Sequence, residues 1–159
     1  MSPWIVFTVL AIVFNGTLAG ASIDVALVKL PTRRRIGAVA YARFARGNDL
    51  GNGTWVYPSW AVLSALLVFT ATALAFLGGA VVTARGLLMA SSGASVLHFV
   101  ATSRAAPIML GIGKTTDDDR LLASKLDRFA RWHALRTILQ AAAFLLVLAA
   151  LVAVLVAAG

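Results

Sequence analysis

The chain contains no cysteine, which excludes disulfides, thiol catalysis and thiolate metal sites and leaves the redox compartment unmarked. It contains no glutamate either. Its acids are Asp24, Asp49, Asp117, Asp118, Asp119 and Asp127, and its histidines are His98 and His133 alone. No HExxH, CxxC or EF-hand pattern is present, no nucleotide-binding loop, and no serine elbow. Two histidines and Asp24 supply the count of a non-haem iron triad and nothing more. No metal or cofactor is expected.

What remains is apolar. Of the 159 residues, 60% are hydrophobic and the mean hydropathy is +0.90, more than one soluble core of this size could hide. The formal charge of +8 would suggest nucleic acid in a soluble protein. Here the basic residues lie in two short segments beside apolar spans, so they read as topology signals and contacts to anionic lipid headgroups, with no nucleic acid as partner. Met1-Ser2-Pro3-Trp4 lacks the basic start of a signal peptide, and the apolar run behind it is too long for one, so a retained first span is expected.

The pattern predicts a single all-α domain over 1–159: a transmembrane antiparallel four-helix bundle with spans at about 4–28, 56–77, 85–102 and 132–157. The first would rise roughly 37 Å, enough to cross a hydrocarbon core of about 30 Å. Lys29 and Pro31 should end it. Ile36, Ala40 and Phe44 fall at i, i+4, i+8, which predicts a short amphipathic interfacial helix before span 2, followed by a turn over 48–53. Pro107, Gly111 and Gly113 predict an irregular loop after span 3. Thr116 should cap a last helix beginning near Asp117.

Lysines and arginines set the expected orientation. Lys29, Arg33, Arg34, Arg35, Arg43 and Arg46 follow span 1, and Arg104, Lys114, Arg120, Lys125, Arg128 and Arg131 follow span 3, while Arg85 alone stands between spans 2 and 3. The positive-inside rule then places both basic segments in the cytoplasm and both termini outside a cell membrane. Trp4 should mark the outer interface, and Trp55, Trp60 and Trp132 the inner one. Gly16 and Gly20 offer a small-xxx-small face for close helix contact.

Polar side chains within spans must face the bundle interior, water or a partner. Ser91, Ser95, His98 and Thr102 form one stripe at helical spacing; His133, Arg136 and Gln140 form a second. Asp24, Trp60 and Ser64 fall at the same expected depth, and an Asp24–Arg136 pair would lower the cost of burying either charge. The plain reading of the Ser and Thr stripes is interhelical glue, of Arg136 a snorkelling anchor, and of Asn15 helix packing.

The run Trp132-His133-Ala134-Leu135-Arg136-Thr137 resembles the W-[NH]-x-x-R-T pattern of a family of small four-helix membrane proteins that includes anthrone oxygenases. Thr102 to Pro107 resembles the Thr…Pro stretch after that family's third span, and Gly20 to Pro31 its small-residue first span ending in proline. The chain departs from it in carrying Ile108-Met109 after the loop proline, where family members often have asparagine. The resemblance implies cofactor-independent oxidation of a lipophilic aromatic small molecule by O₂.

On that reading His98 or His133 removes a proton, Arg136 stabilises the anion, Asp24 assists, and Trp60, Ser64, Ser95, Thr102, Trp132 and Gln140 line the substrate. The competing expectation is a non-catalytic accessory subunit of a larger membrane complex, or a lipid-binding module, with a partner membrane subunit. A transporter would need a polar path through the whole bilayer, and the outer halves of spans 2 and 4 are nearly bare of polar groups.

Overall fold

A long apolar run can satisfy its backbone without water only by coiling on itself, and four such runs do so here. The computed structural model describes residues 2–158. It contains α1 (Pro3–Ile36), α2 (Ala38–Gly47), α3 (Gly53–Leu77), α4 (Val82–Gly113) and α5 (Asp119–Ala158), with no strand among the described residues. All but α2 are long and apolar enough to cross a membrane, the mark of a multi-pass membrane protein.

The long helices meet in a ring. α1 lies against α3 and α5, and α4 lies against the same two; α4–α5 is the most extensive of these seams and α3–α4 the least. One core cluster fills the end that holds Trp4, Ala11, Val68, Ala75, Leu88, Val147 and Ala150. A second, built on Val25, Leu30, Tyr41, Met109, Ile112, Leu126 and Phe129, joins the far ends of α1, α4 and α5 to α2.

That second core explains where the structure departs from the expected boundaries. α1, α4 and α5 run 32 to 40 residues, or about 48–60 Å, well beyond a hydrocarbon core of about 30 Å. The surplus lies at the basic ends. Tertiary packing there keeps the chain helical after the apolar run stops. Pro31 therefore does not end α1. A π-helical turn at Val25–Lys29 precedes it, and the hydrogen-bond ladder is re-registered where the proline has no N–H to give. Pro107 and Gly111 likewise lie inside α4 rather than in a loop.

Gly37 joins α1 to α2 at φ 85° and ψ 159°, a conformation that strains any residue with a Cβ. α2 buries Ala38, Tyr41, Ala42 and Ala45 and leaves the Ile36, Ala40 and Phe44 stripe exposed. Asp118, not Thr116, caps α5: the Leu121 N–H donates to its Oδ1 at 3.0 Å. Asp117 turns away to accept from Arg43 Nη2 at 2.7 Å and Arg46 Nη1 at 3.0 Å, which ties the α4–α5 connection to α2.

Of the two expected small-residue contacts, one forms. A Cβ on Gly16 would lie 3.0 Å from the Phe144 ring, whereas Gly20 faces open space. Trp4 is 5% exposed and lies in the core rather than in an interfacial belt. Trp55 is fully out, and Trp60 and Trp132 are half-buried.

Candidate functional site

Where the α1 π turn and the bulky side chains of the basic end hold the helices apart, a cavity of about 430 Å³ remains. α1 contributes Leu18, Ser22 and Val25; α3 contributes Tyr57 and Ala61; α4 contributes His98, Phe99 and Thr102; α5 contributes Phe129 and Arg136. Asp49 and Leu50, from the turn between α2 and α3, close one end. The exposed lining residues are Pro58 and Val62 on α3 and Leu110 on α4. The cavity therefore opens sideways through the seam with the least helix contact.

Its walls are apolar and its polar groups few. The Arg136 guanidinium forms no ion pair or hydrogen bond among the described residues, and its Nε is buried without a partner. The Thr102 Oγ1 is likewise buried and unpartnered. His98 is 4% exposed and its Nδ1 lies 3.2 Å from the Arg136 carbonyl. A carbonyl oxygen only accepts, so Nδ1 carries the proton and the neutral ring keeps its lone pair on Nε2. One residue thus contributes a guanidinium to the cavity wall and, through its backbone, sets the tautomer of the neighbouring base. Asp49 sits at the rim, where burial pushes its carboxyl above the ordinary range against the pull of Lys29 and Arg136.

The other expected site residues go elsewhere. His133 is fully buried, stacks on Phe129 with ring centres 5.4 Å apart, and donates from Nε2 to the Ser22 carbonyl at 3.1 Å. That carbonyl lies just before the π turn and also accepts from Thr137 Oγ1 at 3.4 Å. Asp24 pairs with Lys29 at 3.1 Å on a half-exposed face, so the expected Asp24–Arg136 pair does not form. Gln140 donates to Asn15 Oδ1 at 2.9 Å, and Asn15 donates to the Ser64 carbonyl at 3.4 Å. Ser95 donates to the Ser91 carbonyl at 3.0 Å. Trp60 packs against Phe14 with the rings tilted at 34° and donates to the Phe14 carbonyl at 3.2 Å. Trp132 packs against the second core cluster.

The stripes seen in the sequence thus divide into two sets. His98, Thr102 and Arg136 reach the cavity, while Gln140, Asn15 and the Ser64 carbonyl make a polar contact outside it, the Ser64 hydroxyl being buried without a partner. Sequence reasoning missed Asp49 and Tyr57. Asp49 reads as an ordinary turn residue, and the one available signal was its place among only six acids, directly before a span. Among the described residues no group of three His, Cys, Asp or Glu is placed to hold a metal. No family model, curated protein or solved structure matches this chain.

Proposed function

We propose that this cavity binds a lipophilic aromatic molecule bearing an acidic phenol or enol, and oxidises it with O₂ in the manner of an anthrone oxygenase. The observation that carries this is Arg136, a cation in no close ion pair on the wall of a mostly apolar, laterally open cavity. A charge held in such surroundings costs several kcal/mol, and an anionic ligand offsets that cost.

His98 Nε2 takes the proton from a CH₂ flanked by aryl rings. Arg136 stabilises the resulting enolate. The electron-rich carbanion then delivers its electrons to O₂. The CH₂ becomes a carbonyl, one oxygen atom enters the product and the other leaves as water. Thr102 and Tyr57 lie on the wall as further hydrogen-bonding groups, and Phe99 and Phe129 offer flat surfaces to the rings.

The setting completes the proposal. Short connections at 78–81 and 114–118 turn consecutive spans back on each other, which supports an antiparallel transmembrane four-helix bundle. α2 lies in the interface with Ala40 and Phe44 toward lipid. The positive-inside rule puts the cavity end at the cytoplasmic leaflet of the cell membrane, with both termini outside. Substrate then reaches the cavity from the bilayer through the α3–α4 seam.

The test is oxygen uptake by the purified protein in nanodiscs supplied with an anthrone. The expected result is one O₂ consumed per quinone formed, with turnover abolished in H98Q. Turnover by H98Q at the wild-type rate would remove the base from the scheme. Tight copurification of another membrane protein at fixed stoichiometry, with no oxygen uptake, would favour the accessory-subunit reading.

A further inference from the structure

A second, separate recess of about 180 Å³ lies between the far part of α1 and α5. Its floor is Ala26, Leu30, Ala130 and Ala134, and Pro31, Arg33 and Arg34 stand over one end. From Ala26 to Arg34 the groove spans about 12 Å along α1. It crosses the point where the apolar run gives way to basic residues, which is where lipid acyl chains meet headgroups.

Arg33 is the informative residue. Its side chain is 15% exposed. Nη2 donates to Asp127 Oδ1 at 2.6 Å, but Nη1 is buried and has no partner. A guanidinium presents a planar fork of donors that suits carboxylates and phosphates. Here one prong is used and the other is buried without a partner, on a residue that lines the recess. Asp127 balances one positive charge, and Arg34, also lining the recess, remains unpaired among the described residues. The local charge is therefore positive above an apolar trough narrow enough for a chain and floored by alanines.

From this geometry we infer a discrete binding site for one anionic phospholipid, its phosphate held by Arg33 Nη1 and Arg34 and the start of an acyl chain lying along Ala26, Ala130 and Ala134. A phosphate diester is the shared chemistry of a lipid and a free anion. The alanine trough selects the lipid, because an inorganic anion makes no use of it. Such a lipid would brace the α1–α5 seam.

Native mass spectrometry tests this on the full chain released from micelles doped with equal phosphatidylglycerol and phosphatidylcholine. The expected wild-type spectrum retains one phosphatidylglycerol in preference to phosphatidylcholine, and excess inorganic phosphate does not displace it. R33Q removes the donor fork and should lower that occupancy roughly tenfold. A134L leaves every charge and the Asp127 pair in place, fills an exposed position of the trough, and should lower it similarly. R35Q carries the same charge change outside the recess and should leave it unchanged. Equal losses in R35Q and R33Q would show diffuse attraction to basic helices and overturn the site. Undiminished binding by A134L, or displacement by phosphate, would overturn the lipid as its occupant.

Discussion

The two ends of this bundle solve the same packing problem in opposite ways. At the Trp4 end, Ala11, Ala71, Ala75, Ala84 and Ala150 are fully buried and the helices meet with no space reserved between them. Thr8 closes on the Trp4 carbonyl at 2.7 Å and Ser91 on the Ala143 carbonyl at 2.9 Å, while Arg85, whose buried Nε has no partner, lies over the Phe76 ring rather than on a cavity. At the basic end, a π turn and bulky residues such as Tyr57, Phe99 and Phe129 keep the helices apart, and Arg136 and Thr102 face the gap unpaired. Small residues with satisfied polarity make a bundle. Unsatisfied polarity beside a cavity makes a site. The difference separates the part of the sequence that packs the helices from the part that borders the cavity.

Substitutions can break that comparison. The largest effect is expected from R136M, which should lower kcat/KM on an anthrone by about 10²–10³-fold while raising the unfolding temperature, because a cation without a partner is replaced by an apolar side chain of similar length. Thermal unfolding in detergent beside oxygen uptake reads both. A loss of stability instead would make Arg136 a structural residue.

Next comes volume. A75L inserts a side chain into the close-packed end and should cost about 1–3 kcal/mol. A61L grows into the cavity and should cost less than about 1 kcal/mol while weakening ligand binding. Equal costs for the pair, measured by unfolding in the same detergent, would erase the contrast between the two ends.

A smaller effect is expected at the polar contact of Gln140 with Asn15. Gln140→Leu removes a donor to Asn15 and should destabilise by about 1 kcal/mol, with turnover by the folded protein unchanged. Loss of turnover there would extend the site into that contact.

The smallest effects come from two acids outside the spans, and they carry opposite signs. Hydrogen bonds from Arg43 and Arg46 hold the Asp117 carboxyl below its ordinary range. Asp117 therefore adds stability above that range and loses it as pH falls through its folded value. Burial raises Asp49, so its folded form binds the proton more tightly than the unfolded chain does, and its contribution worsens as pH rises through the carboxylate range. At neutral pH, D117N should lower the unfolding temperature and D49N should raise it, with both differences shrinking in acid. Shifts of the same sign would contradict the placement of one of the two. Tyr41 shows the same burial effect, its phenol pushed up to about 12, so it stays neutral throughout this range.

The four spans were legible because a run of apolar residues has one answer in lipid. His98 and Arg136 were legible for the converse reason, since polarity inside such a run is conspicuous. The far ends of α1 and α4 were not. Around Arg33 and Pro107 the local sequence argues for a loop, and helix persists only because Leu30, Met109 and Ile112 find partners in α2 and α5. The π turn at Val25–Lys29 leaves no mark in residue spacing. Asp49 and Tyr57 were missed because polarity near the end of a span is unremarkable until the fold brings it to a cavity. His133 and Gln140 share a helix face with Arg136, but whether each meets a cavity or a polar partner depends on the neighbouring helix α1, far away in sequence.

The central claim is that the Arg136 guanidinium waits for the anionic head of a lipophilic ligand. Anaerobic equilibrium binding of an anthrone to the protein in nanodiscs, followed by ligand absorbance, tests it without turnover. Saturable binding with the absorbance of the enolate is expected for wild type, and neither the affinity nor that absorbance should survive in folded R136M. Equal affinity and the same spectrum in R136M would contradict the claim.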